Sequence, residues 1–133
     1  RELALILVDI DHFKKFNDNW GHQLGDLVLR EVAQLIKATC RTSDIVARYG
    51  GEEMVVILPS TDMESAQDVA QRIRACIESH PISHEGNSLS VTISLGLSML
   101  KTPNEPKTSL IERADQALYR SKENGRNQLT IAD

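Results

Sequence analysis

Asp9 closes an apolar run, and Glu52 and Glu53 follow a Gly50-Gly51 pair that joins two short strand-like segments. Carboxylates at neighbouring strand ends can converge on hard divalent cations, which prefer oxygen ligands and keep water or phosphate in their other positions. A metal pair of this kind clamps the attacking and leaving oxygens of an in-line phosphoryl displacement. On pattern alone a second reading stays open, in which Asp9 caps the next helix and the two glutamates are solvated turn residues. The four histidines, His12, His22, His80 and His84, show no metal-ligand spacing; His80 and His84 read as loop residues. Trp20, Tyr49 and Tyr119 are too scattered to form a base-stacking platform.

The elements that must position these residues follow from the apolar spacing. Residues 3–8 are six consecutive apolar residues, the pattern of a strand buried on both faces. Asp11 is placed to cap a short helix over 12–20, and Gly21 supplies the break after it. Leu24, Leu27, Val28, Val32, Leu35 and Ile36 recur at helical spacing, giving an amphipathic helix to about Thr39. Segments 45–48 and 54–58 read as two strands, with the glycine pair supplying the positive φ of a tight hairpin turn. Ala66, Val69, Ala70, Ile73, Cys76 and Ile77 mark a second long helix. Residues 81–88 are a polar connection with room for one short edge strand. From Leu89 to Ser98 apolar and small polar residues alternate, predicting a strand with one face in the core. Residues 101–108 carry Pro103 and Pro106 and read as a loop, a last helix runs from about Ser109 to Gly125, and 128–131 closes as a strand. The order β-α-α-β-β-α-β-α-β predicts an α+β fold, a mixed sheet flanked by helices.

Composition narrows the classes. A chain of 133 residues suits one domain with one core. With 41% hydrophobic and 26% charged residues it is too apolar for disorder. The longest apolar run falls far short of the ~20 residues of a membrane span, so no membrane contact by this domain is expected. Arg1 and Glu2 lead straight into a strand-like run with no signal-peptide pattern. The formal net charge of −4 argues against broad nucleic-acid binding. Cys40 and Cys76 stand singly in helix-like stretches, fitting reduced thiols in a cytoplasmic setting.

Read together, the motifs are more specific. Arg48-Tyr49-Gly50-Gly51-Glu52-Glu53-Met54 resembles the signature of GGDEF domains, the diguanylate cyclases that make cyclic di-GMP from two GTP. It is accompanied, in that family's order, by Asp9-Ile10-Asp11-His12-Phe13-Lys14, Asn17-Asp18, Gly21-His22, Gly25-Asp26 and a K-x-x-G-R-N segment at Lys122, Gly125, Arg126 and Asn127. The resemblance spans essentially residues 1–133. It implies a nucleotide-cyclase or polymerase-palm-like sheet with a ferredoxin-like core, and two Mg²⁺ or Mn²⁺ ions per GTP. It assigns Asp9, Glu52, Glu53 and the Ile10 carbonyl to metal, and gives Glu52, with Glu53 as a further acidic group, the task of helping to deprotonate the ribose 3′-OH. Phe13, Lys14, His22, Gly50, Gly51, Lys122 and Arg126 are assigned to the nucleotide and its phosphates, and Asn17 and Asp26 to the guanine edge. Asp11 matches the signature but is expected to be a helix cap.

Arg41-Thr42-Ser43-Asp44 matches the family's R-x-x-D site, where the cyclic product binds and arrests the enzyme; Arg72 is a further candidate contact there. Met54 stands where the family name puts Phe, a tolerated hydrophobic exchange. The resemblance also implies that a helix and a D-x-L-T-x-L-x-N-R segment normally precede the first strand, so the chain reads as the output domain of a longer signalling protein, which could itself be membrane-anchored. The expected activity is condensation of two GTP at a homodimer interface, with product inhibition. Two other classes stay open: a non-catalytic module that binds GTP or cyclic di-GMP, and an unrelated palm-like cyclase with another base preference.

Overall fold

The computed structural model describes residues 2–133; Arg1, read above as leading into the first strand, lies outside the described residues. Eleven elements follow in order: β1 (Leu3–Ile10), α1 (Phe13–Trp20), α2 (His22–Thr39), β2 (Ile45–Gly50), β3 (Glu53–Pro59), α3 (Met63–Glu78), β4 (Ile82–His84), β5 (Asn87–Leu89), β6 (Ile93–Met99), α4 (Lys107–Glu123) and β7 (Leu129–Ile131). Five strands form one sheet in the order β2-β3-β1-β6-β7. β1 is antiparallel to both β3 and β6, and β7 joins β6 in parallel, so the sheet is mixed as expected. No helix among the described residues is long and apolar enough to cross a membrane.

The period of two along β1 divides the core. Ala4, Ile6, Val8 and Ile10 face α2 and α3, joining Val28, Val32, Ile36, Ala66, Ala70, Ile73 and Ile77 in the larger cluster. Leu5 and Leu7 face the other way, against Leu110, Ala114 and Leu118 of α4. Asp9 has the parity of Leu5 and Leu7, so it emerges on the α4 side. One helical turn beyond Leu118, Lys122 lies over it.

Three expectations are corrected. β6 is not a strand with one wet face: Ser94, Gly96 and Ser98 are buried as fully as Ile93, Leu95 and Leu97. Small residues are needed because α4 packs directly on the strand. A Cβ built on Gly96 would sit 2.2 Å from the Ala114 carbonyl oxygen and 2.4 Å from the Leu118 nitrogen. The Ser98 hydroxyl donates to Leu110 O at 2.8 Å and that of Ser121 to Leu95 O at 2.7 Å, which satisfies polar groups in the seam. The polar connection holds a hairpin, β4–β5, turned by Glu85 and Gly86 at positive φ. Finally, Asp11 does not cap α1. The residue before that helix is His12, at φ 56°, and no side chain caps it.

Candidate active site

The end of β1 gathers the acidic residues. Asp9 and Glu53 are direct partners across the β1–β3 ladder, so their side chains share the α4 face. The next turn is drawn in by Ile10 N–H, which donates to Glu52 O at 3.4 Å. Asp9 is buried, and its Oδ2 accepts a hydrogen bond from the Lys122 ammonium. Burial pushes the Asp9 carboxyl above its ordinary value; Lys122 pulls it back, while Glu52 and Asp11 add to the rise. Burial, then the neighbouring Asp9 charge, raises Glu53 likewise. Lys122 is held above its usual value: partial burial opposes the charge, but the bond to Asp9 and the charges of Glu53 and Glu52 outweigh it. The site is therefore short of positive charge.

A cleft of about 170 Å³ opens there, lined by Asp9, Ile10, Asp11, His12, Phe13, Lys14, Glu52, Lys122 and Arg126. Seven of the nine are residues singled out from the sequence. Asp11 and His12 stand in the same signature segment but are given no part in the site by the resemblance. Among the described residues no three His, Cys, Asp or Glu side chains form a ready-made metal cage. The donor set suits Mg²⁺ all the same, because that ion binds through one or two carboxylates and completes its shell with water and substrate phosphates. The hairpin tip carries Gly50 and Gly51. Only Gly51 has positive φ, at 30°, and a Cβ on either glycine would meet nothing within 4 Å. Arg48 Nη2 donates to Gly51 O at 2.6 Å and holds the tip.

The guanine candidates sit on α1 and α2. Asn17 lies against Gly25, where an added Cβ would fall 1.8 Å from Asn17 Oδ1. That oxygen is buried and has no hydrogen-bond partner. Asp26, beside Gly25 in the chain, is exposed and lines a separate cleft of about 330 Å³ with Leu29, Arg30, Ala33, Arg48 and Met54. Asn17 is not part of that lining. His22 is exposed at the start of α2 and lines none of these clefts. Sequence reasoning missed Arg30 and Arg48 here, although helical spacing places Arg30 one turn after Asp26.

Arg41 and Asp44 meet as expected, but as partners of each other. Asp44 accepts from Arg41 N at 2.7 Å and from Arg41 Nη2 at 2.9 Å. The same guanidinium reaches Pro59 O at 2.9 Å and Thr61 Oγ1 at 2.7 Å. The Asp44 side chain is 1% exposed and that of Arg41 55%. Both line a cleft of about 360 Å³ with Thr61, Asp62, Ser65, Asp68 and Arg72. His80 lies in the connection after α3 as expected, its Nε2 3.0 Å from Glu31 Oε1 of α2, whereas His84, read as a loop residue, ends strand β4.

Comparison with known proteins identifies the family of the fold. The profile "Diguanylate cyclase, GGDEF domain" matches residues 1–128. Diguanylate cyclase A of Treponema denticola is 48% identical over 130 residues, covering 98% of this chain and 35% of that protein. Diguanylate cyclase DgcP of Pseudomonas aeruginosa is 44% identical over 131 residues, covering 98% of this chain and 19% of its own length. The chain thus spans about a third or less of these relatives. Among solved structures, the GGDEF domain of DgcB from Caulobacter crescentus in complex with c-di-GMP superposes with a TM-score of 0.92 at 39% identity, covering 98% of this chain and 77% of that one. Diguanylate cyclase SiaD from Pseudomonas aeruginosa, solved with its activator SiaC, gives a TM-score of 0.95 at 35% identity, covering 98% of this chain and 50% of that one.

Proposed function

The chain belongs to the GGDEF family of diguanylate cyclase domains, and from that membership we propose that residues 1–133 condense two GTP into cyclic di-GMP and two pyrophosphates. One observation carries the reading. Asp9, the cross-strand partner of Glu53, lines one cleft with Glu52, Lys122 and Arg126, while Glu53 stands outside that lining.

In this reading each subunit holds one GTP and two subunits meet face to face. Asp9, Glu52, Glu53 and the Ile10 carbonyl would hold two Mg²⁺ or Mn²⁺ ions per GTP, which when bound polarise the α-phosphate and make the 3′-OH more acidic. Lys122 and Arg126 take the charge of the terminal phosphates. The free N–H groups around Phe13 and Lys14 open α1 toward the same cleft. Gly50 and Gly51 leave the hairpin tip bare, so the triphosphate can approach the backbone. The fold makes no steric demand for glycine at position 50, which supports a ligand role for the missing side chain. Asp26 accepts from the guanine N1–H and N2–H₂ groups, and the Asn17 amide pairs with the acceptor edge of the base. Adenine would leave the Asp26 carboxylate unpaired. His22 is kept as an outer contact to the nucleotide.

Each half-reaction balances simply. The 3′-oxygen forms a bond to the α-phosphorus of the opposite GTP, the bond to the β-phosphate bridging oxygen breaks, and pyrophosphate leaves with that electron pair. The 3′-OH proton passes to a carboxylate, Glu52 in this assignment, and then to water. The product binds at Arg41, Asp44 and Arg72 and arrests turnover. The test is mass spectrometry of the products formed from GTP and Mg²⁺. Cyclic di-GMP and pyrophosphate are expected; GTP binding without either product would leave a non-catalytic signalling module.

A further inference from the structure

We propose that Asp11 is a positioning residue for the phosphate-binding side of the cleft, anchoring the turn that carries Arg126. The identity of the nucleotide in this proposal rests on the diguanylate cyclase reading. Asp11 is buried, at 7% exposure. Its Oδ1 accepts from Ser94 Oγ at 2.6 Å, and its Oδ2 accepts from Thr92 Oγ1 at 2.7 Å and from the backbone N–H of Asn127 at 3.0 Å. Its own N–H donates to Thr92 O at 2.9 Å. One side chain therefore joins the end of β1, the start of β6 and the turn after α4. An ionised carboxylate is an acceptor only, and three donors converge on this one.

The turn needs such an anchor. Arg126 and Asn127 are successive non-glycine residues in the left-handed region, at φ 64° and 49°. Conformations of this kind persist only where the surroundings over-determine them. Asn127 is gripped three ways: by Asp11 at its N–H, by Arg74 Nη1 at its side-chain oxygen (3.2 Å), and by Glu78 Oε2 at its side-chain nitrogen (2.9 Å). The only anchor from the cleft itself is Asp11. Arg126, by contrast, has no ion-pair partner among the described residues and is exposed. Its direction into the cleft is set by the turn alone.

Asn at position 11 is the discriminating substitution. With its carbonyl at the Oδ2 position it keeps Thr92 and Asn127, while its NH₂ donates to the Ser94 hydroxyl, which can rotate. Ala removes all three contacts. In the dimer assayed with GTP and Mg²⁺, D11A is expected to raise KM for GTP about tenfold, as for one lost charge-assisted contact, with kcat changed less than about threefold. D11N should stay within about threefold of the parent on both parameters, on the same reasoning. Amide hydrogen exchange at Asn127 should be protected in the parent and in D11N and fast in D11A. Should D11A fail to fold, T92V removes one donor to Oδ2, and its Asn127 amide should exchange faster than the parent's. A loss of about tenfold or more in kcat or KM for D11N, with Asn127 still protected, would mean that the charge itself acts on metal or substrate, and would overturn the proposal. Unchanged Asn127 exchange in D11A, or in T92V where D11A does not fold, would overturn it too. A parent protein inactive on GTP would refute the nucleotide reading alone, since exchange at Asn127 reports on the anchor without any turnover.

Discussion

Lys122 on α4 donates to Asp9 Oδ2 at the end of β1, placing the ammonium on one of the carboxylates assigned to metal. Its ammonium offsets the negative charge of Asp9, Glu53 and Glu52. Lys122→Ala should therefore destabilise the cation-free protein by about 1–3 kcal/mol, less than the 3–5 kcal/mol of a fully buried broken pair, because Lys122 is 33% exposed. Added Mg²⁺ should close part of that gap, and thermal melts with and without MgCl₂ measure it. Both Asp9 and Glu53 are raised above their ordinary values by burial. Cations bind the ionised carboxylates, so across the range where Asp9 and Glu53 titrate the rise in Tm given by Mg²⁺ should grow as pH increases. Identical Mg²⁺ effects in the parent and in Lys122→Ala would disprove the competition.

Gly96 is the point of closest approach between β6 and α4. A methyl group there would overlap the Ala114 carbonyl oxygen and the Leu118 backbone nitrogen, neither of which can rotate away. Gly96→Ala is expected to cost about 1–3 kcal/mol through overpacking, or more if the helix cannot shift. Lys122 rides on the same helix, so GTP affinity should fall along with urea stability. A variant as stable as the parent would show that the seam can open.

Much of this arrangement was legible from residue order. The six apolar residues of β1 announced a strand covered on both faces; that Asp9 shares the α4 side with Leu5 and Leu7 came from the fold. The glycine pair located the hairpin, and hence the acidic tip beside it. Most misses share a cause. Ser94, Gly96 and Ser98 read as a wet face because small residues look alike whether they meet water or a closely packed helix. Asp11 read as a cap because its local position allows one; its actual donors are Thr92, Ser94 and Asn127, far away in the chain. Arg48 was passed over because only the folded hairpin brings it to the cleft of Asp26, whereas Arg30, one helical turn after Asp26, was legible and missed.

Glu105 gives a pH signature remote from the cleft. Hydrogen bonds from Arg113, with others from Lys101 N–H and the Ser109 hydroxyl, hold its carboxyl at about 2, below the ordinary 4.5. A depressed carboxylate adds stability that is complete above the unfolded value and is lost as pH falls through the folded one. The stability difference between the parent and Glu105→Gln should thus be constant above about pH 5 and shrink toward about pH 2. Denaturant titrations across that range test it. A gap that widens on acidification would rule out the Arg113 assignment.

Arg41 and Asp44 make a last prediction about the second cleft. Asp44 is almost inaccessible, and its carboxylate is occupied by the backbone and guanidinium of Arg41. A ligand meets the exposed flank of Arg41 first and reaches Asp44 only by displacing it. Arg41→Ala should therefore weaken cyclic di-GMP binding at least about tenfold, the loss of a charge-assisted contact to phosphate or guanine. Asp44→Ala should weaken it comparably through a different route, by freeing Arg41. Asp44→Asn retains an acceptor oxygen for Arg41 and should fall between the parent and Asp44→Ala. Calorimetry with cyclic di-GMP on the three variants separates these routes. Full affinity in Arg41→Ala would place product binding elsewhere on the domain.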